Sequence, residues 1–204
     1  MKYHKIPDET IRRMPLYVRA LALLEQEGQE TISSRQLAER LRLNPPQIRK
    51  DLSYFGAFGT RGIGYPVIST ARRIRAILRL DVPQKAVLVG AGRLGTAIAV
   101  YPGFSVFGLE IAAIIDNNPT KIGSRVGRLE IEHIAAAATL KARGIRLGLL
   151  AVPAEAAQGC ADVLVQAGVK GLLNLAPCCL DVPKQVKVVS IDMAMALGVL
   201  PYYV

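Results

Sequence analysis

Three features of the 204-residue sequence predict an α/β chain in two parts. From residue 84 onward, short aliphatic runs alternate with helical stretches at the spacing of a parallel sheet. The first of these runs passes directly into a glycine loop, Gly90-Ala91-Gly92-Arg93-Leu94-Gly95. Before residue 84, short amphipathic helices and a glycine-rich turn carry most of the positive charge. Together these predict an N-terminal winged helix-turn-helix followed by a Rossmann-type doubly wound parallel sheet. The expected division is a DNA-binding unit with its connecting helix over 1–83, a dinucleotide-binding unit over 84–191, and a C-terminal helix over 192–204.

The charge distribution supports the division. Residues 1–83 hold 15 Lys and Arg against 8 Asp and Glu, whereas residues 84–204 hold 11 against 8. A basic unit joined to a nearly balanced one points to a polyanionic partner for the first. The chain is 51% hydrophobic and 21% charged, enough to bury a core. No apolar run approaches the ~20 residues that a membrane-spanning helix needs. Met1-Lys2-Tyr3-His4-Lys5 does not read as a secretory signal, and Cys160, Cys178 and Cys179 form no disulfide framework. A reducing cytoplasm is the expected compartment, and no metal-ligand spacing is present.

From Asp8, which can cap, Ile11, Met14, Val18, Leu21 and Leu24 recur at helical spacing. Pro15 in mid-pattern predicts a bend or a break. Ser33 with Gln36 forms a capping-box start for a short helix carrying Leu37, Ala38 and Leu41. Asn44 and Pro45 then open a second helix over about 45–55. Ile48, Leu52 and Phe55 share its inner face. Arg49, Lys50, Ser53 and Tyr54 lie opposite, with Gln47 at the edge, offering cations to phosphate and donors to base edges. Residues 58–65 pack Gly59, Gly62 and Gly64 around Arg61 and end in Tyr65, as a β-hairpin wing would. A helix over 69–80 then leads to Asp81-Val82-Pro83, the expected boundary.

In the second unit, Lys85-Ala86-Val87-Leu88-Val89 reads as a buried parallel strand, and residues 96–101 as the helix after the glycine loop. Gly90 permits the tight turn, Gly92 a close approach by pyrophosphate, and Gly95 the packing of helix on sheet. The phosphates would rest on the free N–H groups at that helix start. A second strand over 109–116 ends in Asp116, placed to take both ribose hydroxyls and to repel a 2′-phosphate. With no arginine following it, NAD(H) is favoured over NADP(H). Further elements are expected as helix 134–142, strand 145–152, helix 153–166, strand 169–175, strand 186–191 and a helix from Asp192. This order places Val152, Pro153 and Asn174 at strand ends near the nicotinamide half.

An NAD enzyme needs a proton donor or acceptor beside the nicotinamide. His4 lies in the N-terminal tail, and His133 lies in a stretch expected outside the strand-end turns. Tyr101 lacks a lysine four residues on. These residues favour a sensor; the alternatives are a small NAD-dependent oxidoreductase with an appended basic domain and a CoA-binding module, the latter disfavoured by Asp116.

The combined segments resemble the Rex family of redox-sensing transcriptional repressors over nearly the whole chain. The resemblance rests on Arg13-Met14-Pro15-Leu16-Tyr17-Val18-Arg19, on Gln47-Ile48-Arg49-Lys50-Asp51-Leu52-Ser53-Tyr54-Phe55-Gly56 and on Arg61-Gly62-Ile63-Gly64-Tyr65. It is carried further by the glycine loop with Tyr101, Lys121-Ile122-Gly123, Ala151-Val152-Pro153-Ala154 and Gly171-Leu172-Leu173-Asn174-Leu175-Ala176-Pro177. It implies a homodimeric repressor that holds palindromic operator DNA and lets go when NADH, the tighter ligand, binds as allosteric effector. Arg49, Lys50 and Arg61 would touch DNA. Tyr101 and Asp192, the latter from the partner, would sense the nicotinamide. The family's C-terminal helix usually crosses to the partner; here Pro201 interrupts it, Met193 stands where Leu or Phe is usual, and Cys178-Cys179 replaces more inert residues.

Overall fold

A computed structural model describes residues 6–204, so His4 lies outside the described residues. The chain divides into two compact units, residues 1–82 and 83–204.

The first unit is built on α1 (Asp8–Gln26), α2 (Ser34–Leu41), α3 (Pro45–Ser53) and α4 (Val67–Ile77). Met14, Tyr17, Val18, Leu21 and Leu24 recur every three or four residues on α1 and are fully buried. Leu37, Ile48, Leu52, Val67 and Ile74 complete this core. Pro15 does not break α1, which runs through it as one helix. Its missing donor frees the carbonyl of Ile11, itself exposed, so water can take that bond. Pro7 and not Asp8 is the N-cap; Asp8 sits in the first turn, where its charge suits the helix dipole. The Ser33–Gln36 capping box is formed in both directions. Asn44 is the N-cap of α3 without a side-chain cap bond.

The wing differs from a simple hairpin. Its turn is closed by one antiparallel bridge, Thr60 to Gly64, and its outgoing strand β2 (Tyr65–Pro66) pairs antiparallel with β1 (Thr31–Ile32), ahead of α2. Gly64, at φ +104°, makes this possible, since a Cβ there would sit 2.6 Å from the Ile32 carbonyl oxygen. Helix α3 ends at Ser53, two residues short of the expected limit, and Phe55 lies half-buried in the following turn. Helix α4 starts two residues earlier than expected and packs along α1, so it belongs to the unit's core.

The second unit is a seven-stranded sheet ordered β5-β6-β4-β3-β7-β8-β9. The strands are β3 (Gln84–Val89), β4 (Leu109–Asp116), β5 (Arg125–Val126), β6 (Leu129–His133), β7 (Leu147–Leu150), β8 (Gly171–Asn174) and β9 (Lys187–Ser190). All pairs are parallel except the edge pair β5–β6. The six parallel strands have the doubly wound order in which the chain reverses direction at the first strand, β3. Side chains of β3 alternate between two cores: Val87 and Val89 pack with Ile115, Leu150 and Leu164, while Ala86 and Leu88 pack with Ile111, Ile114 and Ile131. The helices are α5 (Arg93–Ala99), α6 (Ala154–Gln166) and α7 (Met193–Gly198).

Three expectations are corrected here. The edge hairpin β5–β6 was not foreseen; its two-residue loop, Gly127-Arg128, has Gly127 at φ +58° and carries the turn signal. In consequence His133 lies at the end of β6, in register with Asp116, and not away from the strand ends. Residues 134–139 form a 3₁₀ turn, not an α-helix. Finally, α5 stops at Ala99, and Tyr101 lies beyond it, at the entry to a second 3₁₀ turn over Pro102–Phe107.

Candidate functional sites

The glycine loop joins β3 to α5, and its three glycines meet three different surroundings. Gly90 has φ +97°, and a Cβ on it would fall 2.4 Å from the Ala151 carbonyl oxygen. A Cβ on Gly95 would overlap the Gly90 carbonyl oxygen at 1.8 Å, so α5 can approach the loop only through glycine. A Cβ on Gly92 would meet nothing within 4 Å. Its surroundings are open because it borders a cleft of about 620 Å³, in the range of small-molecule sites. Gly90, Asp116, Lys121, Val152, Pro153 and Cys160 also line this cleft, over the C-terminal ends of β3, β4 and β7. A dinucleotide fits here: a backbone face bare of side chains for pyrophosphate, apolar walls, and a charged pair at one end.

That charged pair is more committed than the sequence suggests. Asp116 Oδ2 accepts from Ala91 N at 2.7 Å and from Lys121 Nζ at 3.1 Å, and Oδ1 accepts from Asn118 N at 2.8 Å. Three donors already engage the carboxylate, so it is less free to take the ribose hydroxyls than a bare strand-end acid would be. Burial pushes the Asp116 carboxyl pKa up, but the two backbone donors and Lys121 outweigh it and hold the carboxyl below its ordinary range. The absence of a nearby arginine had implied an uncompensated acid; Lys121 compensates it. Cys160 is the other ionisable group lining the cleft, and burial, then Asp116, push its thiol up and keep it protonated.

The remaining nucleotide-site expectations separate. Val152 and Pro153 line the cleft; Arg93 and Leu94 are exposed on the first turn of α5. Ala91 is buried, with its N–H on Asp116. Asn174 is fully buried and turned into its own loop: its Nδ2 donates to Cys178 O at 2.8 Å, and its Oδ1 accepts from Ala176 N at 3.0 Å. It shapes the turn after β8 and does not line the cleft. Tyr101 is exposed beside Phe104, edge to face with centroids 5.5 Å apart, and does not line the cleft. Asp192 caps α7, accepting from Met195 N at 3.0 Å.

In the first unit, Arg49, Lys50, Ser53, Arg61 and Gly62 are exposed, and Tyr54 is half-buried. Arg49, Arg61, Gly62 and Tyr65 line one concavity of about 380 Å³ between the start of α2 and the wing. The Arg49 guanidinium is held there by Ser34 Oγ at 3.0 Å, a partner that sequence reasoning missed. Ser53 donates to Lys50 O at 2.7 Å. Burial raises the Tyr65 hydroxyl pKa, against the pull of Arg49, so the hydroxyl stays a donor.

Gln47 is half-buried, and its Nε2 donates inward to Asp51 Oδ1 at 2.9 Å. Asp51, read from the sequence only as part of a motif, is the hub of this unit. It is fully buried and also accepts from Thr10 Oγ1 at 2.9 Å, Tyr17 Oη at 2.6 Å, and Arg13 Nε at 2.7 Å and Nη2 at 2.8 Å. Burial alone would raise its pKa; Arg13, Tyr17, Thr10 and Gln47 together bring it to about 2. A carboxylate bonded from four side chains, three of them on α1, fixes the axis of α3 and so the direction its outer face presents.

Among known proteins, a family model described as "Putative DNA-binding protein N-terminus" matches residues 5–53, and one described as "CoA binding domain" matches residues 81–178. The redox-sensing transcriptional repressor Rex of Chloroflexus aggregans is 48% identical over 198 residues, 97% of this chain and 93% of that protein. The chain belongs to the Rex family. A crystal structure of RSP in complex with β-NAD+ and operator DNA superposes with a TM-score of 0.90 at 36% identity, covering 98% of this chain and 92% of that one. RSP in complex with β-NADH superposes at 0.85 with 34% identity, covering 97% and 93%. The Rex resemblance read from the motifs is thereby confirmed, as are the winged helical unit and the parallel sheet that follows it. Among the described residues no helix is long and apolar enough to cross a membrane, and no cluster of potential metal ligands occurs.

Proposed function

We propose that this Rex-family chain is a redox-sensing repressor of the cytoplasm that binds palindromic operator DNA as a homodimer and releases it when NADH binds. The observation that carries the reading is the open face of Gly92 on the cleft, in a chain whose other unit holds Arg49 and the wing around one basic concavity. RSP, similar in fold over nearly the full length, has been crystallised with NADH and with NAD+ plus operator DNA, which supports both halves. Arg49, Lys50, Ser53 and Tyr54 of α3 take the major groove, and Arg61, Gly62 and Tyr65 of the wing take the adjacent minor groove. Gln47 acts behind them, through Asp51.

The pyrophosphate of the dinucleotide lies on Gly90, Gly92 and the first turn of α5, with the adenosine ribose toward Asp116 and the nicotinamide toward Val152 and Pro153. NAD(H) is the signal and not a reagent: of the ionisable groups lining the cleft, Asp116 and Lys121 hold each other, and Cys160 stays protonated. The C-terminal residues suit a dimer. Met193, Met195, Leu197, Leu200 and Tyr202 are all exposed within one short segment, a density of apolar surface that a second copy would cover. Tyr101, exposed on the same unit, and Asp192, contributed by the partner, complete the network that senses the nicotinamide.

NADH can shift DNA affinity only by binding the DNA-incompetent state better than the competent one. A gel-shift titration of a palindromic duplex should therefore show release at micromolar NADH, with NAD+ far less effective. Unchanged binding across the titration overturns the sensing mechanism. Calorimetry with CoA in place of NADH should give no heat; tight CoA binding would assign the cleft to a different ligand.

A further inference from the structure

Resting on the reading of the cleft as a NAD(H) site, we propose that Lys121 is a nucleotide-specificity residue, acting against Asp116 to set the preference between NADH and NADPH. The two side chains meet at 3.1 Å on the cleft wall, Asp116 buried and Lys121 about one-third exposed. Among the described residues that line the cleft, they are the only charged ones. His133, the register partner of Asp116 on β6, is exposed and is not part of the lining.

A lone strand-end carboxylate selects NAD(H) in two ways: it accepts from the ribose hydroxyls and repels a 2′-phosphate. Here both effects are moderated. Asp116 already accepts from Ala91, Asn118 and Lys121, so it meets the ribose hydroxyls less freely than a lone carboxylate would. Lys121 brings three ammonium donors, of which one is used on Asp116. The others can serve a ribose oxygen, and they attract phosphate at the spot where Asp116 repels it. Selectivity at this end is thus the difference between two opposed charges a hydrogen bond apart. Each moves the NADPH/NADH preference in its own direction.

The experiment is nucleotide binding to the full-length chain, with Kd for NADH and NADPH read from nicotinamide fluorescence or calorimetry. Lys121→Met removes the cation and leaves the two backbone bonds to Asp116 intact. It should raise the ratio of Kd(NADPH) to Kd(NADH) at least about threefold, the scale of a partly exposed charge interaction. Asp116→Asn should lower that ratio, and Lys121→Met added to it should cancel most of the gain. An unchanged ratio in Lys121→Met overturns the proposal, whatever happens to the Asp116 variant, whose loop bonds it also weakens. Failure of the unaltered chain to bind either nucleotide overturns the reading of the cleft and this proposal with it.

Discussion

Asp51 ties α1 to α3 in the first unit through four side chains that bond its buried carboxylate. Asp51→Asn keeps the shape but leaves the Arg13 guanidinium without its charge partner, and a destabilisation on the order of 2–4 kcal/mol is expected by urea unfolding. The unfolded carboxyl titrates near its ordinary value of 3.8 and the folded one at about 2, so the native state binds fewer protons between them. Stability from this group is complete above about pH 4 and is lost as pH falls toward 2. Acid unfolding of the Asp51→Asn variant should be flatter across that window, and an identical profile would place the network's energy elsewhere. In sequence, Asp51 reads as one more charge on a basic helix, because its donors Thr10, Arg13 and Tyr17 lie 34–41 positions away. The inward turn of Gln47, only four positions from Asp51, was hidden for a different reason: its helical position alone allows either direction. Asp116 was legible as the strand-end acid, but Lys121 was not legible as its partner, since a turn between them decides whether they meet.

At the scale of elements, the glycine loop was legible from its spacing: Gly90 and Gly95 each answer a local steric demand, whereas Gly92 leaves a bare face on the cleft. That yields a paired prediction. Gly92→Ala should leave thermal stability unchanged, its Cβ meeting nothing in the protein, yet weaken NADH roughly tenfold or more by intruding on the pyrophosphate face. Gly95→Ala should instead lower stability by about 1–3 kcal/mol or more, since α5 must back away from the Gly90 carbonyl. If calorimetric melting finds the two equally destabilised, the open face at Gly92 is not a ligand surface. Strand β6 was missed because it has only five residues and is shared between two pairings, parallel to β4 and antiparallel to the short β5. The wing was legible as a glycine-rich turn but not in its pairing, as β1 is only two residues long and precedes α2. Pro15 predicted a bend or a break because propensity weighs it alone, whereas the buried stripe on both sides of it holds α1 together as one helix.

For the whole molecule, the two-part architecture followed from charge asymmetry and the change in hydrophobic period near residue 83. The proposed self-association came from the Rex resemblance and not from the pattern, since an apolar C-terminal stretch looks like core until its exposure is known. Met195 is 75% exposed and Tyr202 86%. Met195→Glu with Leu197→Glu should convert the chain to monomer by light scattering and abolish tight operator binding, while each unit keeps its fold by circular dichroism. A double variant that stays dimeric would move the interface off this segment. The exposed segment also carries a kinetic meaning. If a single chain must leave these residues in water, the competent repressor forms by a second-order encounter, and at low abundance its amount rises with the square of chain concentration. Operator occupancy then responds to two inputs, the nucleotide ratio and the rate of the protein's own synthesis. A cell diluting the chain by growth would lose repression abruptly, at a threshold set by how well Met193 to Tyr202 are covered.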